Sequence, residues 1–135
     1  MRAVGLILAG GNSKKMRELT NKRAVAAMPI AGSYRAIDFA LSNMTNSHIQ
    51  KVAVLTQYNA RSLNEHLNSS KWWDFGRKQG GLYVFTPTIT IDNGYWYRGT
   101  ADAIYQNLDF LRKCHEPYVI ITSADAVYKM DYNKV

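Results

Sequence analysis

The stretch VGLILAGGNSKKM, residues 4–16, decides the fold of this 135-residue chain. It begins with apolar residues, reaches the glycine pair Gly10-Gly11, and continues with small polar and cationic residues. A continuous apolar run of this length is typical of a strand that is buried on both faces of a parallel sheet. Glycines directly after such a strand are typical of a loop that accepts a phosphate group. The stretch therefore predicts a buried strand that leads into an anion-binding loop.

Two common nucleotide-binding motifs do not fit this loop. A Walker A loop ends in Gly-Lys-Ser/Thr, whereas this chain has Lys14-Lys15-Met16. A dinucleotide fingerprint needs a third glycine, and the corresponding small residue here is Ser13. By spacing alone, the glycine pair is consistent with either a ligand-binding loop or a plain tight turn.

Helix patterns follow in three places. Apolar residues at three- and four-residue spacing predict helices over residues 34–44 and 100–113. Ser33 has the side chain expected of an N-cap for the first of them. A shorter apolar pair predicts a helix over residues 61–67.

Strand patterns alternate with these helices. Apolar runs predict strands over residues 2–8, 51–56 and 118–122. Residues 68–93 are rich in glycine and aromatic residues, and we interpret them as an excursion over the surface with a candidate short strand at 82–85. Three buried strands separated by helices predict an α/β fold with a parallel, right-handed βαβαβ sheet.

Polar residues follow each of the three predicted buried strands. They are residues 10–15, Gln57 and residues 123–125. Because ligands of parallel α/β sheets bind at the carboxyl ends of the strands, we expect these residues at one edge. Asp125 offers the oxygen ligand that a hard cation prefers. The alternative for Asp125 is a purely structural role as the cap of the following turn.

Composition limits the class of partner and the compartment. Lys and Arg number 17 against 10 acidic residues, which gives a net charge of +7. This charge favours anionic partners such as nucleotides, sugar phosphates or nucleic acid. The alternative is a basic surface that is only solvated. Cys114 is the single cysteine, so an internal disulfide is excluded and a reducing compartment is favoured. The first apolar run is too short to span a bilayer and has no cleavage-site pattern. We therefore expect a cytoplasmic protein without a membrane partner.

The three histidines and the aromatic residues have ordinary structural interpretations. His48, His66 and His115 lie at no metal-ligand spacing, which favours surface or core roles. The aromatic residues around Trp72 and Trp73 could stack on bases, but aromatic side chains next to a strand are more often part of the core.

Longer blocks of sequence carry a resemblance that spacing alone does not. The blocks, in order, are Leu8–Gly11, Leu19-Thr20, Arg23-Ala24, Pro29, Gly32, Tyr34-Arg35, Ile37–Phe39, Leu41–Asn43, Val54–Tyr58, Trp96–Asn107 and Ser123–Tyr132. Together they cover nearly the whole chain, and they resemble the N-terminal part of the ADP-glucose pyrophosphorylases (glucose-1-phosphate adenylyltransferases) of bacteria and plants.

The resemblance implies a fold and a reaction. The fold is a Rossmann-like nucleotidyltransferase (GT-A-like) sandwich, a mostly parallel sheet with helices on both faces. Residues 1–135 would be its N-terminal portion, without the sugar-binding half and the C-terminal β-helix. The reaction joins ATP and glucose 1-phosphate to give ADP-glucose and pyrophosphate for glycogen synthesis, and it uses Mg²⁺ and cationic side chains to neutralise phosphate charge.

The resemblance also implies roles for individual residues. Asp125 would be the metal carboxylate, and Arg98 would belong to the effector-sensing region, although an arginine before a helix is as often simply solvated. The residues expected to bind the nucleotide are Leu8, Ala9, Gly10, Gly11, Gln57, Gly99, Thr100 and Ala101.

This chain departs from the family pattern at positions that carry charge. The family loop reads Gly-Gly-x-Gly-x-Arg-Leu, but here the third glycine is Ser13 and the arginine is Lys15. A family lysine that acts in catalysis is replaced by Val25. Where the family has Ser-Gly-Asp-His, residues 123–126 of this chain read Ser-Ala-Asp-Ala, so Ala126 stands in place of the histidine. Arg to Lys loses the planar fork that grips phosphate oxygens, and Lys to Val removes a cation. One such lost contact costs roughly 3 kcal/mol, about a hundredfold in rate.

The pattern of kept and lost residues is similar to that of the regulatory subunit in two-subunit enzymes of this family. The resemblance implies a catalytic paralogue as partner in a hetero-oligomer, expected to be a tetramer. One alternative is a fully catalytic glucose-1-phosphate adenylyltransferase. An alternative of a different class is a basic nucleic-acid-binding domain, which would bind single strands tightly and with strong salt dependence. We expect ATP and glucose 1-phosphate as ligands, and no nucleic acid.

Overall fold

A parallel sheet of four strands forms the centre of the part of the chain that the structure describes. The computed structural model describes residues 2–9, 29–30, 34–56, 65–67, 81–85 and 100–135. In chain order the strands are β1 (Ala3–Ala9), β2 (Pro29–Ile30), β3 (Tyr34–Arg35), β4 (Lys51–Thr56), β5 (Gly81–Phe85) and β6 (Tyr118–Ser123). The sheet has the order β5-β4-β1-β6 with every neighbouring pair parallel, while β2 and β3 form a separate antiparallel pair. The predicted parallel α/β architecture is confirmed.

Helices cover both faces of β1, because successive side chains of a strand point to opposite faces. Ile7 and Ala9 belong to a core that includes α1 (Ala36–Asn46). Leu6 and Leu8 pack on the other face with Ala103 of α2 (Thr100–Gln106). The next described helix, α3 (Leu108–Lys113), contributes to the same second core. The prediction of helices on both faces is thus also confirmed.

The first turn of α1 differs from the predicted start of that helix. Tyr34 and Arg35 form β3, and α1 begins at Ala36 with Arg35 as its N-cap. The N–H of Arg35 donates to Asp38 Oδ2 at 2.8 Å. The carboxylate in the first turn of the helix thus provides the hydrogen-bond acceptor for the main-chain N–H of the N-cap residue. The prediction of Ser33 as the N-cap is therefore wrong, and Ser33 itself lies outside the described residues.

The predicted surface excursion contains a strand of the central sheet. Residues 81–85 form β5, parallel to β4, with Ala53 opposite Tyr83. Its side chains are partly buried or exposed, because β5 is an edge strand with one neighbour in the described sheet. The candidate short strand is confirmed, and its assignment to the surface rather than to a layer of the core is wrong.

The single helix predicted over residues 100–113 is broken into α2 and α3 at Asn107. The side-chain Nδ2 of Asn107 donates to the carbonyl oxygen of Ala103 at 2.7 Å. Asparagine side chains compete in this way with the main-chain hydrogen bonds of a helix, and the chain turns at this residue. Of the helix predicted over 61–67, residues 65–67 are helical and the rest lies outside the described residues.

The last described element is a short 3-10 helix at Tyr132–Lys134, which follows residues 126–131 without regular secondary structure. Residues 126–131 are called the 126–131 segment below. None of the helices that the structure describes has the length and apolarity needed to cross a lipid bilayer.

Candidate functional site

The ends of β1, β4 and β6 lie side by side at the carboxyl edge of the sheet. In the strand register, Leu8 lies opposite Leu55 on β4 and Ser123 on β6. One residue beyond β6, the N–H of Ala124 donates to the carbonyl oxygen of Leu8 at 3.0 Å. Ala124 is 1% exposed, so this bond is buried and anchors the turn firmly. The turn that carries Asp125 is therefore attached to the strand that leads into the glycine pair.

Asp125 presents an exposed carboxylate at this edge. The hydroxyl of Ser123 donates to Asp125 Oδ1, which fixes one oxygen of the carboxylate. Among the described residues there is no group of three or more His, Cys, Asp or Glu side chains that could hold a metal. Mg²⁺ is commonly held by one or two carboxylates together with phosphate oxygens of the substrate and water. A single exposed carboxylate fits a Mg²⁺ ion that arrives with a nucleotide, and it does not fit a metal cage built by the protein alone.

Thr100 and Ala101 lie in the first turn of α2 and are both exposed. Two residues later, Ala103 is buried in the core that includes Leu6, with Leu8 packed against it. This packing places the start of α2 on the face of the sheet to which the Leu8 side chain points. Three of the residues expected to bind the nucleotide thus share one face.

Of the other residues expected to bind the nucleotide, only Ala9 lies in the part of the chain that the structure describes. It is buried at the end of β1, opposite Thr56 of β4. Thr56 is buried too, and its hydroxyl donates to the carbonyl oxygen of Phe85 at 3.4 Å, which joins the ends of β4 and β5. The predicted site residues outside the described part of the chain are Gly10, Gly11, Lys15, Val25, Gln57, Arg98 and Gly99.

A polar network that sequence patterns do not reveal joins α1 and β6 to the 126–131 segment, which follows Asp125. Asn43 of α1 is 4% exposed and hydrogen-bonds the main chain of Tyr128 and Met130. Tyr128 Oη in turn lies 2.8 Å from Thr122 Oγ1 and 3.0 Å from Tyr132 Oη. Burial and the hydrogen bond to Tyr128 raise the pKa of Tyr132. Asparagine is a poor helix former, so its position inside α1 indicates that its side chain has a role outside the helix. No sequence pattern identifies its partner, which lies 85 residues away.

A second buried polar pair lies at the start of α1. Asp38 is 5% exposed, and its Oδ1 lies 2.6 Å from Nε2 of His66, while its Oδ2 accepts the N–H of Arg35. His66 has the structural role that the sequence analysis favours for the histidines.

A cavity of about 720 Å³ lies at the opposite, amino-terminal edge of the sheet. Its lining includes Arg2, Lys51 and Glu116, with Lys51 Nζ 3.7 Å from Glu116 Oε1. Parallel α/β sheets bind their ligands at the carboxyl ends of the strands, so this cavity is separate from the candidate nucleotide site.

Comparisons with known proteins identify what this arrangement is similar to. The family model described as nucleotidyl transferase matches residues 4–135. The chain is 46% identical over 132 residues to a glucose-1-phosphate adenylyltransferase of Clostridium novyi, and 48% identical over 132 residues to one of Thermosipho africanus. Each match covers 98% of this chain, but 35% and 32% of the two relatives. The chain thus spans about a third of the length of the curated relatives it matches.

Solved structures share the fold at much lower sequence identity. A putative glucose-1-phosphate thymidylyltransferase from Bacillus anthracis matches with a TM-score of 0.70 and 20% identity, over 98% of this chain and 48% of that one. HddC from Yersinia pseudotuberculosis matches with a TM-score of 0.66 and 15% identity, over 98% of this chain and 52% of that one. These matches support a Rossmann-like nucleotidyltransferase fold.

Proposed function

We propose that this chain, which belongs to the nucleotidyl transferase family, is the N-terminal portion of the nucleotidyltransferase domain in a regulatory subunit of a glucose-1-phosphate adenylyltransferase. In this proposal the protein binds ATP and glucose 1-phosphate in the cytoplasm, assembles with a catalytic paralogue in a hetero-oligomer, and turns over poorly by itself. Relatives named for this activity at 46% and 48% identity support the substrates.

The observation that carries nucleotide binding is the hydrogen bond from Ala124 N–H to the carbonyl oxygen of Leu8. It holds the Asp125 turn beside the strand that leads into Gly10 and Gly11. A nucleotide whose phosphates lie over the glycine pair would therefore reach the carboxylate of Asp125. Glycine at these positions lets the main chain come close to the ligand, because no Cβ intervenes.

We assign a separate role in binding to each of the candidate residues. Leu8, Thr100 and Ala101 offer one face of the sheet to the nucleoside, and Gln57 and Gly99 are proposed to complete the adenine site. Asp125 would hold Mg²⁺, which when bound supplies neutralising charge to the phosphates of ATP. Ser123 fixes one oxygen of that carboxylate and thereby orients it.

The regulatory role is proposed from the positions that have lost charge. Lys15 keeps a cation but cannot grip two phosphate oxygens at once, and Val25 has no charge at all. Charge developed on the leaving pyrophosphate would then lack two preorganised contacts. Each such loss typically slows the chemical step by about a hundredfold, whereas binding through the glycine pair and Asp125 would be retained.

Two other functions make different predictions. A fully catalytic adenylyltransferase is supported by the names of the relatives, and it would form ADP-glucose without a partner. A nucleic-acid-binding domain is supported by the net charge of +7, and it would bind single strands in a strongly salt-dependent way.

The deciding experiment measures ADP-glucose formation by the purified full-length protein, alone and mixed with a catalytic homologue. We expect activity at least about a hundredfold below that of the homologue when the protein is alone, and a change in the homologue's activity or effector response on mixing. Full activity of the protein alone would overturn the regulatory role. Tight binding to single-stranded nucleic acid without ATP binding would overturn the family function.

A further inference from the structure

We infer that Asn43 is a positioning residue for Asp125 and acts through the 126–131 segment. The inference rests on the proposed function, in which Asp125 meets a nucleotide with its Mg²⁺. It concerns a residue of α1 that is distant in sequence from every proposed ligand contact.

Both polar atoms of the Asn43 side chain form hydrogen bonds with one short piece of main chain. Its Nδ2 donates to the carbonyl oxygen of Tyr128 at 3.0 Å, and its Oδ1 accepts the N–H of Met130 at 3.1 Å. These two atoms pair with alternate residues of the segment, as a neighbouring strand would. Asn43 is buried, so the loss of this side chain would leave main-chain groups of the 126–131 segment without these partners.

Further hydrogen bonds attach the same region to α1 and to β6. Ser47, the C-cap of α1, accepts the N–H of Tyr132 with its hydroxyl at 2.9 Å. The hydroxyl of Tyr128 lies 2.8 Å from Thr122 Oγ1 on β6. The segment is thus held between α1 and the strand that carries the Asp125 turn.

Asp125 lies between two fixed points that are close in sequence. On one side, Ala124 is bonded to Leu8 at the end of β1. On the other side, Tyr128 is bonded to Asn43, three residues after Asp125. The carboxylate itself is exposed, so its direction depends on the main chain of this turn and on the hydrogen bond from Ser123. Groups that hydrogen-bond a metal ligand directly typically change metal affinity by about 10- to 100-fold, and Asn43 acts on the main chain that carries the ligand.

The test measures ATP binding by the full-length protein with and without Mg²⁺, in the wild type and in Asn43→Ala. The quantity compared is the ratio of the ATP dissociation constant without Mg²⁺ to the constant with Mg²⁺, called the Mg²⁺ factor below. We expect Asn43→Ala to reduce this factor by about tenfold, the lower end of the range for such groups, while metal-free ATP binding changes by less than about twofold.

Two controls separate positioning from general stability. Asn46→Ala removes the same side chain from an exposed position of α1 and should leave the Mg²⁺ factor unchanged. Val52→Ala opens a cavity in the buried core and removes no hydrogen bond of the 126–131 segment, so it should lower the melting temperature without changing the Mg²⁺ factor. An equal effect of Val52→Ala and Asn43→Ala on that factor would overturn the positioning role.

The remaining outcomes are also decisive. A wild-type Mg²⁺ factor in folded Asn43→Ala would overturn the inference and leave the proposed function intact. Absence of ATP binding in the wild type would overturn the proposed function and the inference with it. If Asn43→Ala does not fold, Tyr128→Phe removes the hydroxyl contacts of the segment and keeps the ring. We expect this variant to lower the Mg²⁺ factor by about threefold, and an unchanged factor would contradict the inference.

Discussion

The main-chain N–H of Ala124 donates to the carbonyl oxygen of Leu8 at 3.0 Å, so the Asp125 turn is attached to the end of β1. Because the nucleotide is proposed to contact both, Asp125→Asn should remove most of the improvement that Mg²⁺ gives to ATP binding, by about tenfold or more. Metal-free binding should be nearly unchanged, because the substitution keeps the shape of the side chain. Isothermal titration of ATP with and without Mg²⁺ checks this.

The matched control for that variant is Asp109→Asn, which removes an exposed carboxylate in the first turn of α3. It should leave both ATP dissociation constants unchanged. An equal Mg²⁺ response in Asp125→Asn and the wild type would show that Asp125 does not meet the metal.

Asp38 should contribute measurably to stability. Its two oxygens contact the N–H of Arg35 and the ring of His66, and the carboxylate is buried. Asp38→Ala removes both contacts and should lower the free energy of unfolding by about 1 to 3 kcal/mol. Urea unfolding measures this, with Ser42→Ala at an exposed position of the same helix as the control. A loss below about 0.5 kcal/mol for Asp38→Ala, the ordinary range of surface substitutions, would contradict this account of the helix start.

Tyr132 should make the protein lose stability in alkaline solution. Burial first, and the hydrogen bond to Tyr128 second, raise the pKa of Tyr132 above its ordinary value near 10.0. The unfolded chain therefore releases this proton at a lower pH than the native state does. The contribution to stability is complete below pH 10 and is lost as the pH rises through the native pKa.

Tyr132→Phe should remove this part of the alkaline dependence, although it lowers stability at neutral pH by the loss of a hydrogen bond. The measurement is the free energy of unfolding in urea from pH 8 to pH 11. Tyr118→Phe is the control, because Tyr118 is 68% exposed. Identical alkaline slopes in the wild type and Tyr132→Phe would rule out the proposed effect.

The central part of the fold follows from hydrophobic patterning. β1, β4 and β6 were predicted within one residue of their bounds from their apolar runs. β1 and β4 are buried as expected, but β6 is an edge strand of the described sheet with Tyr118, Val119 and Ile121 exposed, so the prediction of a third buried strand is wrong. β5 was predicted only as a candidate short strand over residues 82–85, because the glycine and aromatic residues around it indicated a surface excursion. The break at Asn107 depends on one side-chain hydrogen bond to Ala103 that competes with the helix, which a periodic pattern cannot reveal.

The candidate site was predictable in part. Its placement at the carboxyl edge follows from the topology of a parallel sheet, and Asp125 was identified because it ends a strand. The contact of Asn43 with Tyr128 and Met130 joins positions more than 80 residues apart, and single-sequence patterns carry no information on such pairs. The departures at Lys15 and Val25 were visible only beside the family pattern.

The most direct test of the regulatory proposal is the rate of ADP-glucose formation by the full-length protein alone, compared with the variant that combines Lys15→Arg and Val25→Lys. We predict a low rate for the wild type and a gain of at least about tenfold for the double variant, because it restores two charge contacts to the leaving pyrophosphate. A wild-type rate equal to that of a catalytic homologue, with no gain from the two substitutions, would contradict the account.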